Sequence, residues 1–379
     1  MYRIYSKAPR PLHVYPSVDI LIPAHNEGVV IQETLQAMTK LSYPGQLTVY
    51  LLNDNSSDET GEIAEQFAST FPQIQHILVP PGEPKGKSRV LNYGLSISCG
   101  AYFCVYDADN QPETHALRLL VEAAETQKDA AGAVGIVRTI NEEKNWLTRM
   151  ISLEFQIFQL IMQAGRWLVF KTGSLTGTNM LLRRDLIQEL GGYDPDAIAE
   201  DAELTLRITR KGYFLPIITQ SITWEQEPEE LKTLIKQRTR WLQGNLYIVG
   251  KIFSFQYFKG RLLVHSLQQV LVYIVFWIFL IISNIWFIVG LLNLFSIDYK
   301  LPLLFMWYTA YITYTCQLFS AQQMDKRFTP VNSFISLIMY FTYAQLFTYL
   351  YVRSVILYIK AKREKQRIEW DKTPRFKSE

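Results

Sequence analysis

Apolar and polar positions come in alternating blocks over the first 110 residues. Val18-Asp19-Ile20-Leu21-Ile22-Pro23 is a short apolar run closed by proline, and it predicts a buried strand. Val29 to Leu41 carries Val30, Leu35 and Met38 at helical spacing. Leu47 to Leu52 predicts a second strand that runs into the polar cluster Asn53 to Thr60, whose last residues suit a helix N-terminus. A helix over 59–70, a strand over 74–79 and a helix over 87–97 follow. Phe103-Cys104-Val105-Tyr106 predicts a fourth strand. Regular alternation of strands and helices predicts an α/β fold with a mostly parallel sheet. Residues 132–138 predict a further strand, Gly177 to Arg184 a short strand opening into a turn, and Glu200 the start of a helix.

The pattern changes in the second half. Trp146 to Phe170 places apolar residues at 147, 150, 151, 155, 158, 161 and 162, as on one helix face. A core helix and a helix lying at a membrane surface both explain this, and the apolar segments downstream favour the surface. From 231 the chain reads as helical and basic. Segments 264–292, 302–321 and 332–359 each exceed the ~20 residues that cross a hydrocarbon core. The third holds Arg353 and several tyrosines, so it spans the bilayer or lies partly in its interface. The basic run Lys360 to Lys365 belongs in the cytosol by the positive-inside rule. With a cytosolic N-terminal part, this implies two crossings and a partly interfacial or re-entrant third segment. The expected organisation is therefore a soluble domain over 1–245, a membrane region over 246–360 and a basic cytosolic tail over 361–379. The helices near 146–170 and 229–245 lie at the interface.

Composition sharpens this picture in three places. The net charge of +3 gives no nucleic-acid signal, and the mean hydropathy of +0.02 averages a polar first part with an apolar second. Cys99, Cys104 and Cys316 have no metal spacing and form no disulfide framework. Met1 to Ser17 lacks a signal-peptide core, which keeps the soluble part in the cytosol.

The chemistry gathers where strands end. Asp107 and Asp109 stand at i and i+2 after an apolar run, so alternation along a strand would put both on one side with small Ala108 between them. Two close carboxylates suit Mg2+ or Mn2+ carrying a diphosphate. A plain turn is the competing reading. In parallel sheets ligands bind beyond the strands' carboxyl ends, and the clusters 24–27, 53–58 and 107–109 all fall there. Neither GxGxxG nor GxxxxGK[ST] occurs, which argues against a dinucleotide-binding or P-loop enzyme. Glu200-Asp201 opens a helix, where dipole complementation competes with catalysis. Lys232, Lys236, Arg238 and Arg240 form either a solvated face or one that meets anionic lipid, and Trp241 beside them is an anchor or a stacking platform.

Taken together these motifs resemble the membrane-bound family 2 glycosyltransferases of GT-A fold, such as the poly-N-acetylglucosamine, hyaluronan, chitin-oligosaccharide and cellulose synthases. The resemblance runs from Val18 to the tail Trp370 to Arg375. It implies an inverting β-glycosyltransferase using a UDP-sugar, UDP-GlcNAc or UDP-glucose, to extend a polysaccharide at the membrane. Transfer of one or a few sugars to a lipid is the alternative. It further implies that Asp54 contacts the uridine while Ala24, Asn26 and Glu27 line the base pocket, and that Asp107 and Asp109 serve diphosphate and metal. Lys87 at its helix start joins the donor-binding set. Asp201, beside Glu200, matches the catalytic base. Gln237, Arg240 and Trp241 match Gln-x-x-Arg-Trp, with Arg240 near the diphosphate and Trp241 under the acceptor. The implied partners are a UDP-sugar, a glycan or lipid acceptor, membrane lipids and export or accessory subunits, with Mg2+ or Mn2+ as cofactor. Two positions depart from the family: Ala199 replaces the usual threonine, and Asn53 the aspartate before Asp54.

Overall fold

A computed structural model describes residues 8–253, 260–292 and 300–364. Two compact units emerge. The first holds the described residues through Glu142 together with Met162–Pro228; the second holds Glu143–Ile161 and the described residues from Glu229 on.

The first unit is built on an eight-stranded sheet. Its elements begin β1 (Val18–Ala24), α1 (Ile31–Thr39), β2 (Leu47–Asn53), α2 (Thr60–Thr70), β3 (Ile74–Leu78), α3 (Lys87–Ile97) and β4 (Tyr102–Val105). The strands of this run pair in parallel, in the order β3-β2-β1-β4, as alternating strands and helices require. β5 (Gln111–Pro112), α4 (Ala116–Glu125), β6 (Gly132–Thr139), β7 (Met180–Arg183), α7 (Arg184–Glu189), α8 (Glu200–Arg210) and β8 (Ile217–Glu225) complete it. α4 and β8 have no counterpart among the expected elements.

Most strands run in one direction, as expected, but the sheet is mixed, with antiparallel members the pattern does not foresee. β7 enters between β4 and β6 antiparallel to both, β5 pairs antiparallel with β8, and only β6 with β8 is parallel in this half. The physical reason is that strand periodicity carries no direction. Direction follows from connections, and those after β4 are no longer strand-helix-strand crossovers.

Alternation along β1 builds both faces of the core. Val18, Ile20 and Ile22 pack with Ile31, Leu35 and Met38 of α1 and with Leu117, Leu120 and Val121 of α4. Leu21 joins Leu52, Phe103 and Val105 against Val90, Leu91 and Leu95 of α3. Each such side chain contributes roughly 1.5–3 kcal/mol by leaving water. Asp19 is the exception within β1. Its carboxylate accepts from the backbone N–H groups of Cys99 (2.7 Å) and Gly100 (2.6 Å), which closes the turn from α3 into β4.

The second unit is helical. It includes α5 (Trp146–Gln156), capped by Asn145, whose side chain accepts from Thr148 N–H. A π-helical turn at Ile157–Gln163 follows, and then α6 (Ala164–Phe170), which belongs to the first unit. α9 (Leu231–Ile252), α10 (Gly260–Val270), α11 (Phe276–Leu291), α12 (Lys300–Asp325), α13 (Pro330–Met339) and α14 (Tyr343–Glu364) complete the second unit.

Of the three apolar segments expected, one stretch, Leu262–Leu291, is long and apolar enough to cross a membrane. α13 and α14 meet at a 47° bend and qualify as a second crossing if taken as one broken span. α12 is long enough, but its tyrosines, threonines and glutamines dilute its apolar character. Polar groups inside this unit find one another. Asn284 donates to Gln345 Oε1 (3.1 Å), and Tyr351 donates to the backbone carbonyl of Tyr273 (2.6 Å), within the π-helical turn Leu271–Val275. The tail expected to be basic and cytosolic lies outside the described residues beyond Glu364, including the motif Trp370 to Arg375.

Candidate active site

The loops after β1 and β2 are laced together. Asp54 N–H donates to Ala24 O (2.8 Å), and His25 Nδ1 lies 2.6 Å from Asp54 O. A carbonyl only accepts, so His25 carries its proton on Nδ1 there. Asn26, at φ 54°, donates its N–H to Ser56 Oγ (2.9 Å) and accepts from Ser57 N–H (2.7 Å). Glu27 N–H donates to Thr60 Oγ1 (2.7 Å). Ala24, Asn26, Glu27 and Asp54 thus occupy one continuous rim. Arg89, two residues into the helix that Lys87 opens, pairs with the Asp54 carboxylate and donates to Pro80 O (2.6 Å). The sequence reading does not single out Arg89. Its only signal is the spacing Lys-x-Arg in one helical turn.

Asp107 and Asp109 do not lie on a strand, which corrects the alternation argument. β4 ends at Val105, and Asn110 N–H bonds back to Asp107 O (3.1 Å) in a tight turn. The turn separates the two carboxylates by environment: Asp109 is buried, while Asp107 keeps solvent contact. It is pinned from three sides. Thr34 of α1 donates to Ala108 O (2.7 Å), Asp107 N–H donates to Thr178 Oγ1 (3.1 Å), and Thr178 donates to Asn110 Oδ1. Asn110 in turn donates to Glu225 Oε2 (3.0 Å).

Lys87 joins this turn to the loop before β7. Its Nζ donates to Asp107 Oδ1 (2.6 Å) and to the carbonyl of Gly177 (2.7 Å). Burial pushes the Lys87 ammonium down, but the carboxylates of Asp107, Glu200 and Asp201 outweigh it and hold the group above the ordinary lysine range. Gly177 sits at φ +86°, where a side chain is strained. A Cβ there would stand 3.7 Å from Asp201 Oδ2 and 3.8 Å from Lys87 Nζ. Gly177 therefore lies between the cation and the acid.

Asp201 stands in the first turn of α8 and accepts from Ala202 N–H (2.7 Å) through Oδ1. Burial first, and the Glu200 charge second, raise its carboxyl to about 7. Neighbouring contacts hold the loops around it. Thr205 Oγ1 accepts from Leu175 N–H (3.0 Å) and donates to Asp201 O (2.8 Å). Asn92 of α3 makes two bonds of 2.8 Å with the Tyr193 backbone. Tyr193 is buried, and desolvation, with the Glu200 and Asp201 charges next, drives its hydroxyl well above its ordinary range. Thr178, Asn110, Asn92 and Tyr193 are further residues the sequence reading leaves without a role. Glu203 of α8 is buried and pairs with Arg207 (2.7 Å).

The first unit therefore brings together Ala24, Asn26, Glu27, Asp54, Lys87, Asp107, Asp109, Glu200 and Asp201. Gln237, Arg240 and Trp241 belong to α9 in the second unit. Arg238 does not share the basic face with Lys232, Lys236 and Arg240: its side chain is fully buried.

Among the described residues no group of three or more His, Cys, Asp or Glu could hold a metal ion. The donor set Asp107 and Asp109 fits Mg2+ or Mn2+, which take one or two carboxylates and complete their shells with water and phosphate oxygens. It does not fit an ion caged by protein alone.

A family model described as "Glycosyltransferase like family 2" matches residues 16–244. The "Probable glycosyltransferase YdaM" of Bacillus subtilis (strain 168) is 40% identical over 367 residues, covering 95% of this chain and 87% of that protein. A "Beta-monoglucosyldiacylglycerol synthase" of Trichormus variabilis is 29% identical over 231 residues, 60% of this chain and 49% of its own length. A "Poly-beta-1,6-N-acetyl-D-glucosamine synthase" of Staphylococcus epidermidis is 23% identical over 282 residues, 74% and 67% of the two chains. The solved mannosyltransferase PcManGT from Pyrobaculum calidifontis, in complex with GDP-Man and Mn2+, aligns with a TM-score of 0.56 and 18% identity. It covers 96% of this chain and 91% of that one. That likeness concerns the fold, which is GT-A-like.

Proposed function

The chain belongs to the family 2 glycosyltransferases, and on that premise we propose that it moves a sugar from a UDP-sugar, with inversion, to a growing polysaccharide at a membrane. The observation that carries the reading is Gly177 between Lys87 and Asp201. A cation suited to a departing diphosphate and a carboxyl raised toward neutrality flank one backbone position.

The step balances as a single displacement. The acceptor hydroxyl oxygen forms a bond to the anomeric carbon. The bond from that carbon to the diphosphate oxygen breaks, and its electron pair leaves with UDP. The hydroxyl proton passes to Asp201, whose pKa near 7 suits a base at neutral pH. Lys87 stabilises the charge that develops on the diphosphate. Asp107 and Asp109 would hold Mg2+ or Mn2+, which when bound supplies further positive charge to the same oxygens. Attack from the side opposite the leaving group turns an α-linked donor into a β-linkage.

Uridine fits the rim at Asp54. A uracil edge presents an N–H donor beside a carbonyl acceptor. The Asp54 carboxylate accepts from the first, and the Arg89 guanidinium donates to the second. The Gln-x-x-Arg-Trp resemblance assigns Gln237 and Trp241 to the acceptor and Arg240 to the diphosphate. UDP-GlcNAc and UDP-glucose are the donors to try first. The catalytic unit faces the cytosol, where nucleotide sugars are made, and accessory subunits would complete export.

A second reading, transfer of one or a few sugars to a lipid, is favoured by the small membrane region: among the described residues, Leu262–Leu291 is long and apolar enough to cross a membrane, with the bent pair α13 and α14 as a second crossing if taken as one span. The size of the product decides between them. Detergent-purified protein, radiolabelled UDP-GlcNAc or UDP-glucose and Mn2+ are expected to yield a β-linked polymer. A short product that extracts into organic solvent only when diacylglycerol is added would replace the polysaccharide reading with the lipid one.

A further inference from the structure

Arg238 is the largest fully buried side chain among the described residues, at 1% exposure. A guanidinium keeps its charge at any pH a protein survives, so burying it demands partners. Here they come from α5 and from α9 itself, and a third helix of the second unit, α14, holds one of them. Nη2 donates to Glu154 Oε2 of α5 (2.8 Å), and Nη1 donates to Gln237 Oε1 of α9 (2.7 Å). The same Glu154 oxygen accepts from the hydroxyl of Tyr343 (2.6 Å), the first residue of α14 after the 47° bend. The guanidinium carbon lies 4.1 Å from the centroid of the Trp241 ring and 5.4 Å from that of Phe155. The Trp241 and Phe155 rings themselves stack at 6.3 Å with 24° between their planes.

This arrangement is costly as a way to gain stability. A buried ion pair recovers its desolvation cost only with good geometry, and apolar side chains of similar volume often serve as well or better. What it does supply is orientation. A planar cation stacked on an indole and tied at both ends by directional bonds leaves that ring one setting. Trp241 stays 40% exposed despite the contact, so ring surface remains available to a ligand. Gln237 is committed in the same way. Arginine has only donors, so Gln237 turns its carbonyl oxygen to Arg238 and keeps its amide N–H groups for another partner.

We infer that Arg238 is the positioning residue of the acceptor platform. Through Glu154 and Tyr343 it sets the plane of Trp241 and the amide orientation of Gln237, so acceptor affinity depends on the bend between α13 and α14. The inference rests on the reading of Trp241 as the face that takes the acceptor sugar.

The test uses the full chain in detergent, labelled with 5-fluorotryptophan, with the Trp241 resonance assigned through Trp241→Phe. Chitopentaose, a β-linked GlcNAc pentamer, is the acceptor probe, and UDP-GlcNAc the donor. Arg238→Lys keeps the charge but loses the plane. It is expected to move or broaden the Trp241 resonance and to raise the acceptor KM by at least ~10-fold, as misplacement of a positioning group does. The donor KM is expected to stay within about twofold, because only acceptor binding is altered. Tyr343→Phe removes one hydroxyl and is expected to act in the same direction, more weakly; it carries the test if Arg238→Lys does not fold. An unchanged Trp241 resonance and acceptor KM in the folded variants overturns the inference. So does an equal rise in both KM values, the mark of a general structural role. Trp241→Ala separates the two levels. If that variant leaves the acceptor KM unaltered, the platform reading itself fails. If it raises the acceptor KM while Arg238→Lys and Tyr343→Phe do not, only the positioning role of Arg238 is lost.

Discussion

Replacing Asp201 by Asn separates two accounts of one carboxylate. As a plain complement to the α8 dipole, Asp201 would contribute roughly 0.3–1 kcal/mol, so Asn would destabilise slightly and spare turnover. The surroundings of Asp201 indicate the opposite sign. Burial, and next the Glu200 charge, raise its carboxyl from 3.8 to about 7. A group whose folded pKa lies above its unfolded one contributes stability that is present below the unfolded value and lost as pH rises through the folded one. The charged form is therefore a burden at pH 8 and almost none near pH 4. A shift of about three units corresponds to about 4 kcal/mol for a group cut off from water. Asp201 keeps some solvent contact, and screening brings the figure to roughly 1–2 kcal/mol. Asn carries no charge at any pH. Asp201→Asn is thus expected to raise Tm by a few degrees at pH 8, with about a third of that gain at pH 5. Turnover is expected to fall by ~10²–10⁴, the range for a positioned base, while UDP affinity in Mn2+ stays within a few fold. Thermal unfolding at the two pH values, radiometric turnover and calorimetric UDP binding read all three. A variant that is less stable at pH 8 and still turns over would refute the reasoning. Loss of UDP binding along with turnover would move the base elsewhere, to Glu200 first.

Three further outcomes are expected. Chelation by EDTA abolishes transfer, and Asp109→Ala loses Mn2+-dependent UDP binding by calorimetry; full activity in chelator would remove the metal from the mechanism. Glu200→Gln takes a negative charge from beside Asp201, so the acid limb of its kcat/KM profile shifts from near 7 to lower pH; a limb that stays put or moves upward contradicts that coupling. Arg89→Ala leaves Asp54 without its guanidinium and is expected to weaken UDP binding by at least ~10-fold, with a smaller loss for a nucleotide bearing another base; equal losses for all bases would assign Arg89 to the phosphates.

The half of the site proposed to take the nucleotide is legible in the sequence because it is local. β1, β2 and β4 each end in their polar cluster, so a strand pattern and the residues after it place Asp54 and Asp107 together. What escapes is what depends on pairing between distant segments. No periodicity tells that β7 runs against β4, yet that pairing brings Thr178 and Gly177 to Asp107 and Lys87. The Asp107–Asp109 turn was open to misreading because an i, i+2 spacing suits a strand and a tight turn equally. Arg238 reads as surface charge in any count of basic residues. Only the packing of three helices shows it as a buried centre.

The antiparallel entry of β7 beside β4 also governs the order in which a newly made chain acquires its parts. The pairings of β1 to β4 with one another are complete by residue 105, so the rim at Asp54 can close while the rest, including β7 at the free edge of β4, is still being synthesised. The turn at Asp107 waits for Thr178, and the acid at 201 comes later still. On the proposed function, a ribosome-bound chain halted between these points has the rim that reads the nucleotide but not the acid that serves transfer. Domain-wise synthesis from the N-terminus therefore gives a binding intermediate ahead of a chemically competent one.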